Sequence, residues 1–228
     1  MKPPVLTPRI AVIHATPKSV GPTVATFAQK FPEAEIWNIT DDRLLPDATA
    51  NGGVDERLVE RMLQLIHYCA ANGASAILLA CSMYQAAVAS AKQHLDIPVF
   101  GSDDALFAEV VGRNPKSLFF VGPLPEAVED SVYRLRGELS VAGKSDIKVL
   151  SAAVPEVSSA IANGDIDHAL DLLSATARPH TSKVDMVVLG NFSISPAEPG
   201  LEKILELPVL SPVSMAAIKM RSMILSEA

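Results

Sequence analysis

Ser75-Ala76-Ile77-Leu78-Leu79-Ala80-Cys81-Ser82 is the stretch from which the fold follows. Five apolar residues in a row, without polar alternation, are of strand length and imply burial on both faces, as in a parallel sheet covered by helices. A helical pattern precedes the run from Val54 to Ala71, with Leu58, Met62, Leu65, Ile66 and Cys69 on one stripe. Asn72-Gly73 closes it as helices commonly close. After Ser82 a helix is expected from about Gln85 to His94, then a buried strand Ile97-Pro98-Val99-Phe100 and a helix from Ala105. Upstream, Arg9–Ile13 reads as a strand ending at His14-Ala15-Thr16-Pro17, Thr23–Lys30 as a helix and Glu35–Ile39 as a strand. The segment Asp41–Gly53 holds Pro46, Gly52 and Gly53 and reads as a loop.

The same order returns further along. Ser117–Val121 is a strand ending at Gly122-Pro123-Leu124-Pro125, followed by a helix over Glu126–Leu139. Lys148–Leu150 is a strand and Asp165–Ala175 a helix. Met186-Val187-Val188-Leu189-Gly190 ends at Asn191, Leu207-Pro208-Val209-Leu210 ends at Ser211-Pro212, and a last helix covers Ser214–Ser226. Ile10 to Pro17 overlays Leu118 to Pro125 at an offset of 108, while Cys81 falls on Asn191 and Pro98 on Pro208 at 110. Strand–helix alternation predicts an α/β fold. The duplication predicts two similar parallel-sheet α/β halves related by pseudo-twofold symmetry, with an active-site cleft between them. The first half would take residues 1–107 plus 212–228, the second 108–211.

Composition narrows the function. Hydrophobic residues make up 49% of the 228 and aromatics only 5%, so the core must be Ala, Val, Ile and Leu. The net charge of −7, without clustered Lys or Arg, argues against nucleic acid. Apolar runs are too short for a membrane span, and the N-terminus shows no signal-peptide pattern. Two cysteines make neither a disulfide framework nor a zinc cluster, so no metal is expected and the compartment is read as cytoplasmic.

In open parallel sheets ligands bind outside the carboxyl ends of the strands. Those ends are His14–Pro17, Cys81–Tyr84 and Ser102–Asp104 in the first half, and Gly122–Pro125, Asn191–Ser195 and Ser211–Ser214 in the second. They are rich in hydroxyls and precede helices, whose N-terminal N–H groups favour anions. The expected ligand is a small anion.

The stretch Gly73 to Ser82 with Ile97-Pro98-Val99-Phe100-Gly101 resembles the first cysteine motif of the aspartate/glutamate/hydantoin racemase superfamily. Val184 to Gly190 with Leu207-Pro208-Val209-Leu210 resembles the second, and the likeness runs from Arg9 to about Met223. It implies a cofactor-independent racemase- or isomerase-type enzyme acting at the carbon α to a carboxylate or carbonyl of a small acid, amino acid or hydantoin. Homo-oligomers are common in that family. Its members place one thiol on each side of the substrate. Cys81 matches the first, but the second position is Asn191, whose amide cannot exchange a proton near neutral pH.

On this reading Cys81 is the catalytic thiol, suited to a helix N-terminus, and His14 is the second candidate proton carrier. Thr16, Ser82, Asn191, Phe192 and Ser193 are the candidate substrate-binding residues. Cys69 belongs to the helix stripe and the core, and Asp103-Asp104 is expected to cap the following helix. A decarboxylase or a cis–trans isomerase of the same superfamily is an alternative; the family's decarboxylases carry their single cysteine in the other half. A binder of small carboxylates that no longer catalyses is the alternative of another class.

Overall fold

A computed structural model describes residues 7–226 of the chain. They cluster into two compact units, one holding residues up to 102 together with those from 216 on, the other residues 103–215.

The first unit contains β1 (Arg9–His14), α1 (Val20–Lys30), β2 (Glu35–Thr40), α2 (Leu44–Ala50), α3 (Glu56–Ala71), β3 (Ala76–Leu79), α4 (Gln85–Lys92) and β4 (Val99–Phe100). Its sheet is parallel throughout, in the order β2-β1-β3-β4. The second contains α5 (Asp104–Arg113), β5 (Ser117–Gly122), α6 (Pro125–Val141), β6 (Lys148–Ala153), α7 (Val157–Ala162), α8 (Ile166–Ala177), β7 (Met186–Leu189), α9 (Glu198–Leu205) and β8 (Val209–Leu210). Its sheet is parallel in the order β6-β5-β7-β8. The last helix, α10, spans Pro212–Ser226.

Burial follows the apolar runs. All of β3, β5 and β7 is buried and β1 nearly so, while the edge strands β2 and β6 are only partly covered. Ile13, Ile66, Leu79, Tyr84 and Val99 join one core, and Phe119, Leu173, Leu189 and Ile194 another. Fully burying each such side chain is worth about 1.5–3 kcal/mol. Cys69 lies in the first of these cores, fully buried.

Local signals account for the helix ends. Asp55 caps α3 by accepting from Leu58 N at 2.9 Å, and Asp165 caps α8 by accepting from His168 N at 3.1 Å. Gly73, at φ +87°, turns the chain out of α3 in the left-handed region where a side chain would be strained.

The segment 41–53 is not all loop, because α2 occupies Leu44–Ala50. Pro46 stands in its first turn, where a missing N–H removes no helical bond. Leu44 and Ala48, four apart, turn one face inward. Arg61 on α3 holds the segment with Nε and Nη2 on the two oxygens of Asp41 at 2.7 Å each, and Nη1 on Asp47 at 3.1 Å. Asp103 stands at the N-cap position of α5 without a capping bond from its side chain; its carboxylate takes Arg134 Nη2 at 2.6 Å instead.

The two units repeat at the level of single hydrogen bonds. Ser75 N reaches Arg9 O as Asp185 N reaches Ser117 O, and Ile77 N reaches Pro98 O as Val187 N reaches Pro208 O. At the strand ends Ala80 N donates to Ile13 O at 2.9 Å and Gly190 N to Val121 O at 2.8 Å. Ala80 and Gly190 therefore stand in equivalent places, and a packing exchange explains the difference. A Cβ on Gly190 would lie 2.3 Å from Cε1 of Phe120, whereas the residue at the matching place in β1 is the smaller Val12. Gly190→Ala is expected to destabilise the chain by about 1–3 kcal/mol through overpacking. In a Phe120→Val background the added penalty should largely vanish, giving a coupling of about 1 kcal/mol or more in a denaturant double-mutant cycle. Additive effects would refute the exchange.

Candidate active site

Cys81 follows Ala80 at the carboxyl end of β3, on extended backbone (φ −147°, ψ 120°). It leads a 3₁₀ turn, Ser82–Tyr84, that runs into α4. Cys81 and Ser82 are half-buried. The turn is anchored from below: Tyr84 is fully buried and its hydroxyl donates to Leu44 O of α2 at 2.8 Å. Burial first, and the negative charge of a Cys81 thiolate second, push the Tyr84 hydroxyl up to about 12. Tyr84 is thus an anchor for the thiol's turn and stays protonated.

β1 ends beside this turn. Ile13 pairs with Leu79, so the strand-end residues Ala15 and Cys81 stand at matching positions two residues further on. Thr16 is half-buried, on extended backbone at the head of the next 3₁₀ turn, with its hydroxyl 3.4 Å from Lys18 N. His14, the last residue of β1, lies inside the unit. It is fully buried, with Nδ1 2.7 Å from Ser19 Oγ and Nε2 2.9 Å from Asn38 Oδ1. Ser19 Oγ in turn donates to Thr16 O at 3.0 Å. Burial holds the imidazole below its ordinary pKa of 6.5, although the Asn38 bond pulls upward. Both ring nitrogens are engaged within the protein, and through Asn38 and Ser19 His14 links β2 to the turn bearing Thr16.

The second unit has the matching strand end. Asn191 follows Gly190 after β7 on nearly the same backbone (φ −142°, ψ 147°) and leads the 3₁₀ turn Phe192–Ala197 into α9. Asn191 and Ser193 are half-buried and Phe192 is buried. The Asn191 amide oxygen lies against Gly122, where an added Cβ would come within 3.0 Å of it and 2.7 Å of Val128. Gly122 stands where β1 has His14. The open Cα there makes room for the Asn191 amide. Ser193 Oγ pairs with Ser158 Oγ at 3.2 Å.

One polar cluster in this unit was not legible as a site in the sequence. Glu198, the first residue of α9, accepts from Ser214 Oγ at 2.6 Å and from Ser211 Oγ through the same oxygen. The cluster ties α9 to the start of α10 at the carboxyl end of β8.

The strand ends of the first unit thus carry a thiol and hydroxyls, and those of the second an amide and hydroxyls. Such groups can move a proton at carbon and hold carboxylate oxygens. Among the described residues no helix is long and apolar enough to cross a membrane.

Residues 14–220 match the family described as Asp/Glu/hydantoin racemase. A glutamate racemase from Leptospira interrogans is 27% identical over 146 residues, 61% of this chain and 56% of that protein, so the chain spans about half the length of the curated relative it matches. The fold is similar to glutamate racemase isoform RacE1 from Bacillus anthracis, with a TM-score of 0.71 at 18% identity over 97% of this chain and 83% of the other. It is similar to allantoin racemase from Klebsiella pneumoniae, with a TM-score of 0.69 at 18% identity over 96% and 88%. With the family match covering nearly all of both units, the chain belongs to the Asp/Glu/hydantoin racemase family.

Proposed function

We propose that the chain is a cofactor-independent racemase- or isomerase-type enzyme that transfers a proton at the carbon α to a carboxylate or carbonyl, with Cys81 as its acid–base thiol. The substrate class is a small acid, an amino acid or a hydantoin. The observation that carries the reading is the placement of Cys81: half-buried at the end of a central strand, at the head of a braced turn, inside the family match. The thiolate takes the α-proton, forming S–H as the C–H bond breaks, and the electron pair moves into the adjacent carbonyl. Returning a proton to carbon reverses these changes. Asn191 contributes its amide N–H groups to substrate oxygens, and preorganised donors of this kind stabilise the charge that develops there. Thr16, Ser82 and Ser193 add hydroxyl donors at the strand ends, and His14 acts only through the turn it braces.

A second reading within the same chemistry is favoured by Asn191. With an amide where the family has its second thiol, a reaction needing a proton on one face, such as decarboxylation, is served by Cys81 alone.

Alkylation tests the reading against that of a mere carboxylate binder. Burial pushes the Cys69 thiol up to about 11, so it should stay inert to iodoacetamide near neutral pH. Cys81 should label first, and millimolar glutamate, aspartate or phenylmalonate should slow it several-fold. A Cys81 as inert as Cys69, with carboxylate binding intact, would favour the binder.

A further inference from the structure

Ser102 stands out in the first unit as a buried polar group with nothing to bind. It is 3% exposed, and its hydroxyl oxygen has no hydrogen-bond partner among the described residues. Other buried hydroxyls are engaged: Ser19 with Thr16 and His14, Thr23 with Ser19 O at 2.7 Å, Ser117 with Lys183 O at 2.7 Å. A buried donor left unsatisfied is destabilising, and a group that keeps such a cost in a folded protein calls for an explanation, of which a role toward a ligand is one.

Its place in the sheet says which ligand. Leu78 pairs with Phe100. Two residues beyond that pair stand Ala80 and Ser102, so Ser102 leaves β4 beside the residue that immediately precedes Cys81. We infer that Ser102 is a substrate-contacting residue whose hydroxyl donates to a carboxylate or carbonyl oxygen of the molecule held at the Cys81 strand end. This rests on the proposed α-proton chemistry and adds a binding role for the strand end of β4. The hydroxyl is desolvated in advance, so the bond it forms to substrate replaces no bond to the protein.

Ser102→Ala separates this role from a structural one, because the two readouts should move in opposite directions. Removing an unsatisfied buried hydroxyl should raise the unliganded Tm by about 2–4 °C. The same change should weaken ligand binding about tenfold to a hundredfold, the loss expected for a hydrogen bond to a charged group. Thermal shift is measured on wild type and Ser102→Ala titrated with L-glutamate, L-aspartate, phenylmalonate and benzylhydantoin. The expected result is a shift in wild type with at least one of these, and half-saturation in the variant displaced by that factor. Equal half-saturation in both proteins, or a lower unliganded Tm in the variant, overturns the role of Ser102 while leaving the chemistry at Cys81 standing. No shift of the wild type by any of the four overturns both.

Discussion

Cys81→Ala is expected to lower kcat/KM about a thousandfold or more on any substrate the protein turns over, while Cys69→Ala leaves it within a fewfold. General acid–base groups typically contribute 10²–10⁴-fold, and Cys81 is the cysteine at the two thiol positions that the family resemblance implies. The turn that carries it is held by the Tyr84–Leu44 bond, and α2 beneath is clamped by Arg61 to Asp41 and Asp47. Removing the sulfur should therefore leave the fold intact and take only the chemistry, which circular dichroism and Tm measured alongside the kinetics will show. Cys69 is buried in the core with its thiol pushed up to about 11, and it has no part in proton transfer near neutral pH. Full turnover by Cys81→Ala would sink the proposed mechanism.

The second large effect is expected at Asn191. Asn191→Ala removes an amide donor from the strand end and should cost about a hundredfold in kcat, within the range for loss of one preorganised donor. Asn191→Cys should do something different. The backbone there already matches that of Cys81, with φ and ψ of −142° and 147° against −147° and 120°. Gly122, against which the Asn191 amide lies, puts no side chain there. A thiol at this position supplies the second titrating group of the family pattern, so both enantiomers of a chiral substrate should interconvert in the variant at least tenfold faster than in wild type. Chiral chromatography of each pure enantiomer after incubation reads this directly. A variant that behaves like Asn191→Ala would mean that the position holds substrate and cannot host proton transfer.

The parallel α/β class and the repeat were legible because they rest on features of the chain itself. Continuous apolar runs such as Ile77-Leu78-Leu79 and Val187-Val188-Leu189, bounded by turn signals, read as buried central strands, and the offsets that join Cys81 to Asn191 and Pro98 to Pro208 recur as matching hydrogen bonds. What escaped depends on partners distant in sequence. The helix at Leu44–Ala50 was hidden by Pro46 and by the glycines after it, since its support comes from Arg61. His14 looked open at a strand end because nothing nearby announces Asn38, 24 residues away, as its partner. Asp103 had the form of a cap until Arg134, 31 residues on, claimed its carboxylate. The Glu198–Ser211–Ser214 cluster draws on two helix starts and carries no motif. The strand-end places of Cys81 and Asn191 were legible from the repeat, whereas the hydrogen-bond partners of their neighbours depend on packing.

Solvent deuterium incorporation at the α-carbon, followed by NMR, tests the central claim most directly. Wild type and Cys81→Ala are incubated in D₂O with amino acids, hydantoins, malonates and hydroxy acids. The account predicts deuterium at the α-carbon of at least one of these with wild type and none above background with Cys81→Ala. Exchange that persists undiminished in the variant, or no exchange and no turnover of any compound by wild type, would contradict it.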